Sequence, residues 1–115
     1  MNIKSVFSQI IEKNVDSKII YKDKNVTAFH DIKPLAPVHI LVVSNELIKS
    51  TNDISEKNKD ILGHMLYSAI ILAKKFKINK TGYRMIINCN EHGGQEIFHL
   101  HLHLLGGKKL GKMTS

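Results

Sequence analysis

Three histidines at alternate positions, His99, His101 and His103, interleave with Leu100, Leu102 and Leu104 in the stretch HLHLHLLGG. Side chains alternate between faces along an extended chain, so a strand here brings three imidazoles to one side, about 7 Å apart from neighbour to neighbour. Imidazole is largely neutral near pH 7 and can attack an electrophile, carry a proton or bind a metal. Three readings compete for the pattern. One is a solvated polar face, the ordinary fate of a lone histidine, though three in register make chance a poor account. A second is zinc binding, because His-X-His on a strand offers two ligands and a third imidazole could complete an open site. The third is nucleophilic and acid/base work at phosphorus.

The residues just before the strand help to choose. HGGQE places Gly93 and Gly94 where permissive dihedrals could turn successive backbone amides toward an anion. A Gly-Gly pair alone more commonly marks a tight turn. Beside the histidines it shifts weight from metal toward phosphoryl chemistry.

Positioning such a site falls to the rest of the chain. Val6, Phe7, Ile10 and Ile11 have helical spacing, with Ser5 as N-cap and an end near Asn14. KIIYKD and VTAFHD flank a turn built on Asp23 and Asn25, which is a hairpin pattern. The prolines of IKPLAP exclude a regular helix or central strand there, and HILVV, nearly all apolar, reads as a central strand. From about Ser55 to Lys77, Ile61, Leu62, Met65, Leu66, Ala69, Ile70, Ala73 and Phe76 recur at helical intervals, the principal helix. A break follows at Gly82, then YRMIIN as a fourth strand and IFHLHLHLL as a fifth, whose even residues Phe98, Leu100, Leu102 and Leu104 form its apolar face. The order α, β, β, β, α, β, β predicts an α+β domain, a five-stranded antiparallel sheet with two helices on one side.

At 115 residues the chain is read as a single domain over 1–115, with a core at about 5–107 and a short basic tail at 108–115. No apolar run reaches the roughly 20 residues of a membrane span, and the N-terminal stretch lacks the pattern of a signal peptide. One cysteine, Cys89, excludes an internal disulfide and a cysteine-based zinc cage, and with these features predicts a cytoplasmic protein. Cys89 is read as a packing residue. The formal charge of +7 suits an anionic partner. Its lysines are scattered rather than blocked and are not interleaved with aromatics, so neither a nucleic acid nor a membrane is expected as partner.

The pattern His-φ-His-φ-His-φ-φ at His99 to Leu105, with AFHDIKPLAPVHILVV, GYRMIIN and HGGQEIFHLHLHLLGG around it, resembles the histidine-triad (HIT) superfamily. It is most similar to the Hint branch, the purine nucleoside phosphoramidases, in its bacterial form, and the likeness runs from about Val6 to Gly107. The resemblance implies a homodimer with a sheet continued across both subunits, no cofactor and no metal. Its reaction is hydrolysis of the P–N bond of adenosine or guanosine 5′-phosphoramidates. It makes His101 the nucleophile that forms a nucleotidyl-histidine, His103 a contact to the phosphate oxygens, and His99 and His39 the shell that orients them. Asp31 would accept from the ribose hydroxyls, and Ile32 would cover sugar and base. Val6, Phe7, Ile10, Phe29 and Leu41 would wall the purine. Asn88, with backbone groups of Gly94, Gln95 and Glu96, would hold the phosphate. Without the resemblance, Asp31 and Asn88 are equally turn residues, and the wall is ordinary core.

Two positions depart from the family. Some Hint proteins carry a serine where Glu96 stands, and the tail KKLGKMTS is short. His30, His64 and His92 lie outside the pattern, and His30 is expected to face solvent. The rivals are a dinucleoside polyphosphate hydrolase or nucleotidyl transferase of the same superfamily, a non-catalytic purine-nucleotide-binding module, and a zinc-binding module.

Overall fold

The structure, a computed structural model, describes residues 6–13 and 19–114, with the side chain of Lys13 excepted. Along the chain run α1 (Val6–Lys13), β1 (Ile19–Lys22), β2 (Val26–His30), β3 (Val38–Ser44), a short 3-10 turn (Thr51–Asp53), α2 (Asp60–Lys75), β4 (Tyr83–Ile86) and β5 (His101–Gly106). The expected N-cap Ser5 and helix end Asn14 lie outside the described residues.

One antiparallel sheet has the order β1-β2-β3-β5-β4, so β3 and β5 sit inside it and β4 forms an edge. HILVV is accordingly central, and β3 is buried along nearly all of its length. Even residues of β3 and β5, Ile40, Val42, Leu102 and Leu104, pack against Met65, Ala69, Leu72 and Ala73 of α2. Burying each of the larger of these side chains contributes about 1.5–3 kcal/mol. Odd residues of β3, Leu41 and Val43, pack on the other face with Phe29, Phe7 and Ile10. The two helices therefore cover opposite faces, not one. A central strand that is apolar on both sides requires that arrangement, since either face left bare would expose a row of buried-type residues.

The principal helix is shorter than its periodicity. Asn58 Oδ1 accepts the Ser55 amide at 2.7 Å, holding residues 55–58 in a turn, and regular helix begins at Asp60. At its other end Lys77 takes a left-handed φ of 60°. The Lys77 amide then donates to Lys74 O at 3.1 Å and the Ile78 amide to Ala73 O at 3.0 Å. That pair of bonds is a Schellman cap formed without glycine, anchored by burial of Ile78. Asp60 in the first turn and Lys74 and Lys75 in the last complement the helix dipole.

The fifth strand also departs from expectation, beginning at His101 rather than Ile97. β3 ends at Ser44, so residues 97–100 have no ladder to join. Leu100 instead donates to Ile48 O at 2.6 Å and accepts from the Ser44 amide at 3.3 Å. Phe98, expected on the apolar face with the leucines, is 49% exposed as a result. β4 likewise stops at Ile86, opposite His103.

Candidate active site

Odd residues of β3 and β5 share the α1 side of the sheet, with His101 opposite Val43, His103 opposite Leu41 and His39 opposite Leu105. This register places His39, His101 and His103 together. The ring centroids of His101 and His103 lie 5.0 Å apart and those of His39 and His103 5.2 Å apart. His99 precedes the strand, yet its ring remains beside Phe7 at 6.0 Å. Phe7 meets His101 edge-on at 4.9 Å and Phe29 at 5.5 Å, so α1 closes the histidine cluster with an aromatic side chain.

Hydrogen bonds to backbone groups assign the protons. A carbonyl can only accept, so His101 Nδ1, 2.6 Å from His99 O, carries a hydrogen, and Nε2 of the neutral ring keeps its lone pair. His99 Nε2 likewise donates to Ser44 O at 2.6 Å. An amide can only donate, so His39 Nδ1, 3.1 Å from Leu35 N, is an acceptor, and its proton sits on Nε2. That Nε2 lies 3.0 Å from His103 Nδ1 and 3.4 Å from Asp31 Oδ2. His103 Nδ1 therefore accepts, which leaves His103 Nε2 protonated and able to donate. The cluster holds an acceptor imidazole beside a donor imidazole, the first fixed by a backbone carbonyl and the second, through His39, by the Leu35 amide.

Burial pushes all four histidines below the usual imidazole range. His99 is fully buried, and its neighbour His101 lowers it further against the opposing Ser44 carbonyl. For His101 the His99 carbonyl and the Asp31 charge act against desolvation but do not overcome it. His39 is lowered by burial despite Asp31. His103 is pushed down to about 4, by burial first and then by His101 and His39, against Asp31. Neutral rings near pH 7 are what the tautomer assignment requires.

A cavity of about 600 Å³ opens on this face. Val6, Phe7, Ile10, Phe29, Leu41 and Ile97 supply its apolar wall. Asp31, His39, His101 and His103 line it along with Ile32, which is 72% exposed at the rim. Asn88, Gly94 and Glu96 border it from the loop between β4 and β5. Thus all the candidate residues except His99 and Gln95 meet at one cavity.

The loop works differently from the expected nest of amides. Gly94 has a φ of +76°, and a Cβ on Gly93 would collide with the backbone of Cys89, so both glycines are required by the turn. Their purpose is closure of the loop. The Gly94 amide donates to Glu91 O and the Gln95 amide to Asn90 O, both at 3.0 Å, so neither is turned to the cavity. Gln95 is a buried brace: Nε2 donates to Lys49 O at 2.7 Å and Ile97 O at 3.1 Å, while Oε1 accepts from Asn90 N at 2.9 Å. Asn88 Nδ2 ties down Gly93 O at 2.6 Å. Asp31 serves both as turn former and as cavity group, since Oδ1 accepts the Lys33 amide at 2.9 Å.

Sequence reasoning missed Leu35, whose amide sets the tautomer of His39, and Ser44, whose carbonyl seats His99. Neither side chain carries a signal, because only backbone atoms act. Among the remaining histidines, His30 is exposed and meets Phe76 edge-on at 5.4 Å. His64 Nε2 binds Asp23 Oδ2 at 2.7 Å.

Asp31, His39 and His103 are also the one group among the described residues whose ligand atoms lie close enough to share a metal ion. The proton on His39 Nε2 argues against that use. Ligation would require its removal to Nδ1, where it would face the Leu35 amide.

A five-stranded antiparallel sheet carrying histidines on its inner strands, closed by a short helix, defines the HIT architecture. The chain belongs to the HIT domain family, whose model matches residues 12–110. It is 48% identical over 111 residues to the purine nucleoside phosphoramidase of Escherichia coli K12, covering 96% of this chain and 93% of that one. An uncharacterized HIT-like protein of Buchnera aphidicola, subspecies Baizongia pistaciae, is 68% identical over 109 residues, 95% of this chain and 97% of its own. Among solved structures, a HIT family hydrolase from Clostridium thermocellum superposes with a TM-score of 0.92 at 40% identity, with full coverage of both chains. No helix among the described residues is long and apolar enough to cross a membrane.

Proposed function

We propose that this protein is a purine nucleoside phosphoramidase, cleaving the P–N bond of adenosine or guanosine 5′-phosphoramidates. The observation that carries the reading is the 2.6 Å bond from His101 Nδ1 to its own chain at His99 O, which leaves Nε2 as an unprotonated nucleophile at the cavity. The name of the Escherichia coli relative supports the same chemistry.

In the reaction, the His101 Nε2 lone pair forms a bond to the α-phosphorus and the P–N bond breaks, its electron pair leaving on the amine nitrogen, which takes up a proton from solvent water. Protonated His103 Nε2 donates to a phosphate oxygen and offsets the charge gathering there. Water then attacks the same phosphorus and gives up a proton to solvent, the N–P bond to His101 breaks with its pair returning to Nε2, and the nucleoside monophosphate leaves with the oxygen of water. A phosphorylated imidazole is a good leaving group, so histidine suits two successive displacements. Asp31 receives the ribose hydroxyls, and the wall of Val6, Phe7, Ile10, Phe29 and Leu41, covered by Ile32, takes the purine. Asn88 and the Glu96 amide, which makes no hydrogen bond among the described residues, attend the phosphate. No metal or cofactor enters this scheme.

The same reading includes a homodimer whose sheets join, supported by the free edge of β4 and the exposed Leu66, Tyr67 and Ile71 on α2. It also places the reaction in the cytoplasm. Release of AMP from an adenosine phosphoramidate, with a chelator present, tests it: turnover by the wild type and none by folded His101→Ala is expected. Retained nucleotide binding with no turnover by either protein would replace the hydrolase with a binding module.

A further inference from the structure

A nucleotidyl group seated on the apolar wall with its phosphorus at His101 directs its remaining substituent past the phosphate toward the wall that borders it. That wall is the β4–β5 loop, represented at the cavity by Asn88, Gly94, Glu96 and Ile97. Asn88 is committed to Gly93 O and to the phosphate, and Gly94 has no side chain. Ile97 belongs to the apolar wall, so Glu96 is the one charged side chain of the loop that borders the cavity. It is exposed, and its carboxylate makes neither a hydrogen bond nor an ion pair among the described residues.

An exposed carboxylate is ordinarily just solvated. This one follows Gln95, whose buried amide is bonded to Lys49, Ile97 and Asn90, so the backbone that carries Glu96 is held against the core rather than left to wander. The lysine bordering the same cavity, Lys33, lies on the β2–β3 loop, where its amide donates to Asp31 Oδ1. The leaving-group side of the cavity thus carries fixed negative charge with no cation on the same loop wall.

We propose that Glu96 is a specificity-determining residue, selecting phosphoramidates whose amine bears a second, cationic group and disfavouring anionic leaving groups such as a polyphosphate. This rests on the phosphoramidase reading. A carboxylate facing an ammonium across an open cavity contributes up to about 1 kcal/mol, which corresponds to roughly a fivefold preference in kcat/KM. The preference weakens as salt screens the pair.

Two matched substrates test it, the n-butylamine and 1,4-diaminobutane monoamides of adenosine 5′-phosphate, compared at low and high salt. Wild type is expected to favour the diamine compound about fivefold, Glu96→Asp to keep the direction of that preference, Glu96→Gln to abolish it and Glu96→Lys to reverse it. Turnover of both substrates by wild type, with a ratio that Glu96→Gln leaves unchanged, overturns the proposal while the phosphoramidase reading stands. Turnover of neither by wild type overturns both.

Discussion

His39 Nε2 stands 3.0 Å from His103 Nδ1, and the far nitrogen of His39 accepts the Leu35 amide at 3.1 Å. A backbone N–H in a proline-bounded loop thereby determines, through two rings, that His103 presents a proton at Nε2. The donor at the candidate site is assigned by the loop and not by the residue itself.

Replacing His39 should expose that dependence. His39→Ala leaves the Leu35 amide without its partner and frees His103 to adopt either tautomer. Loss of a buried hydrogen-bond partner costs about 1–3 kcal/mol. Misalignment of a reacting group costs on the order of a hundredfold in kcat. Steady-state kinetics with a thermal melt separates the two effects, and a kcat within twofold of wild type would remove His39 from the scheme.

The pH profile follows from the lowered imidazoles. A free histidine would be half protonated near pH 6.5, whereas His101 is held below that value and His103 near 4. The acid limb of kcat/KM should be centred below pH 6.5. An acid limb centred at or above 6.5 would contradict the burial argument. Stability follows the same sign. The unfolded chain binds more protons than the folded one between the two pKa values, so stability is full above about 6.5 and is lost as pH falls toward 4. Chemical denaturation at pH 7.5 and pH 5 should show the loss.

Asp23 offers a test of the fold away from the cavity. Its Oδ1 accepts the Asn25 and Val26 amides, each at 2.8 Å, and its Oδ2 accepts Tyr21 Oη at 2.6 Å and His64 Nε2 at 2.7 Å. This carboxylate fastens the β1–β2 turn to α2. Burial alone would raise its pKa, but the bonds from Tyr21, Val26, His64 and Asn25 outweigh that and hold it well below the usual range. Asp23→Ala should cost about 2 kcal/mol and lower Tm by roughly 10 °C. The rate of AMP release from an adenosine phosphoramidate, measured well below that Tm, should be unchanged. A melting temperature equal to wild type would show the network to be ornamental.

Much of this was legible in the residues. Alternation of His101 and His103 with leucine gave the face of β5, and the unbroken apolar run Ile40 to Val43 gave a central strand. What escaped was set by tertiary backbone contacts. His99 looked like a third strand residue, but β3 runs out at Ser44 and the chain leaves the ladder. Gly93 and Gly94 looked like an anion nest, whereas their loop closes on itself through Glu91 and Asn90 carbonyls that no sequence pattern marks. The start of α2 also escaped, because Asn58 Oδ1 accepts the Ser55 amide and holds residues 55–58 in a turn ahead of the helix. The split of α1 and α2 between two faces was implicit in the doubly apolar β3, yet element order alone suggested one side.

Gly94 should tolerate no side chain. At a φ of +76° an L residue is strained by about 1–2 kcal/mol, and the strain falls on the loop that carries Asn88 and Glu96 to the cavity. Gly94→Ala should raise the Kd for AMP several-fold with a modest fall in Tm, measurable by calorimetry. Unaltered affinity would separate the loop from phosphate binding.

A covalent bond from His101 Nε2 to phosphorus is detectable by rapid acid-free quenching of protein mixed with an adenosine phosphoramidate, followed by peptide mass mapping. A transient adenylyl mass on the peptide containing His101, absent from His101→Ala and chased by water to AMP, is the predicted result. Full turnover by His101→Ala, or an adduct carried by any other residue, would contradict the account.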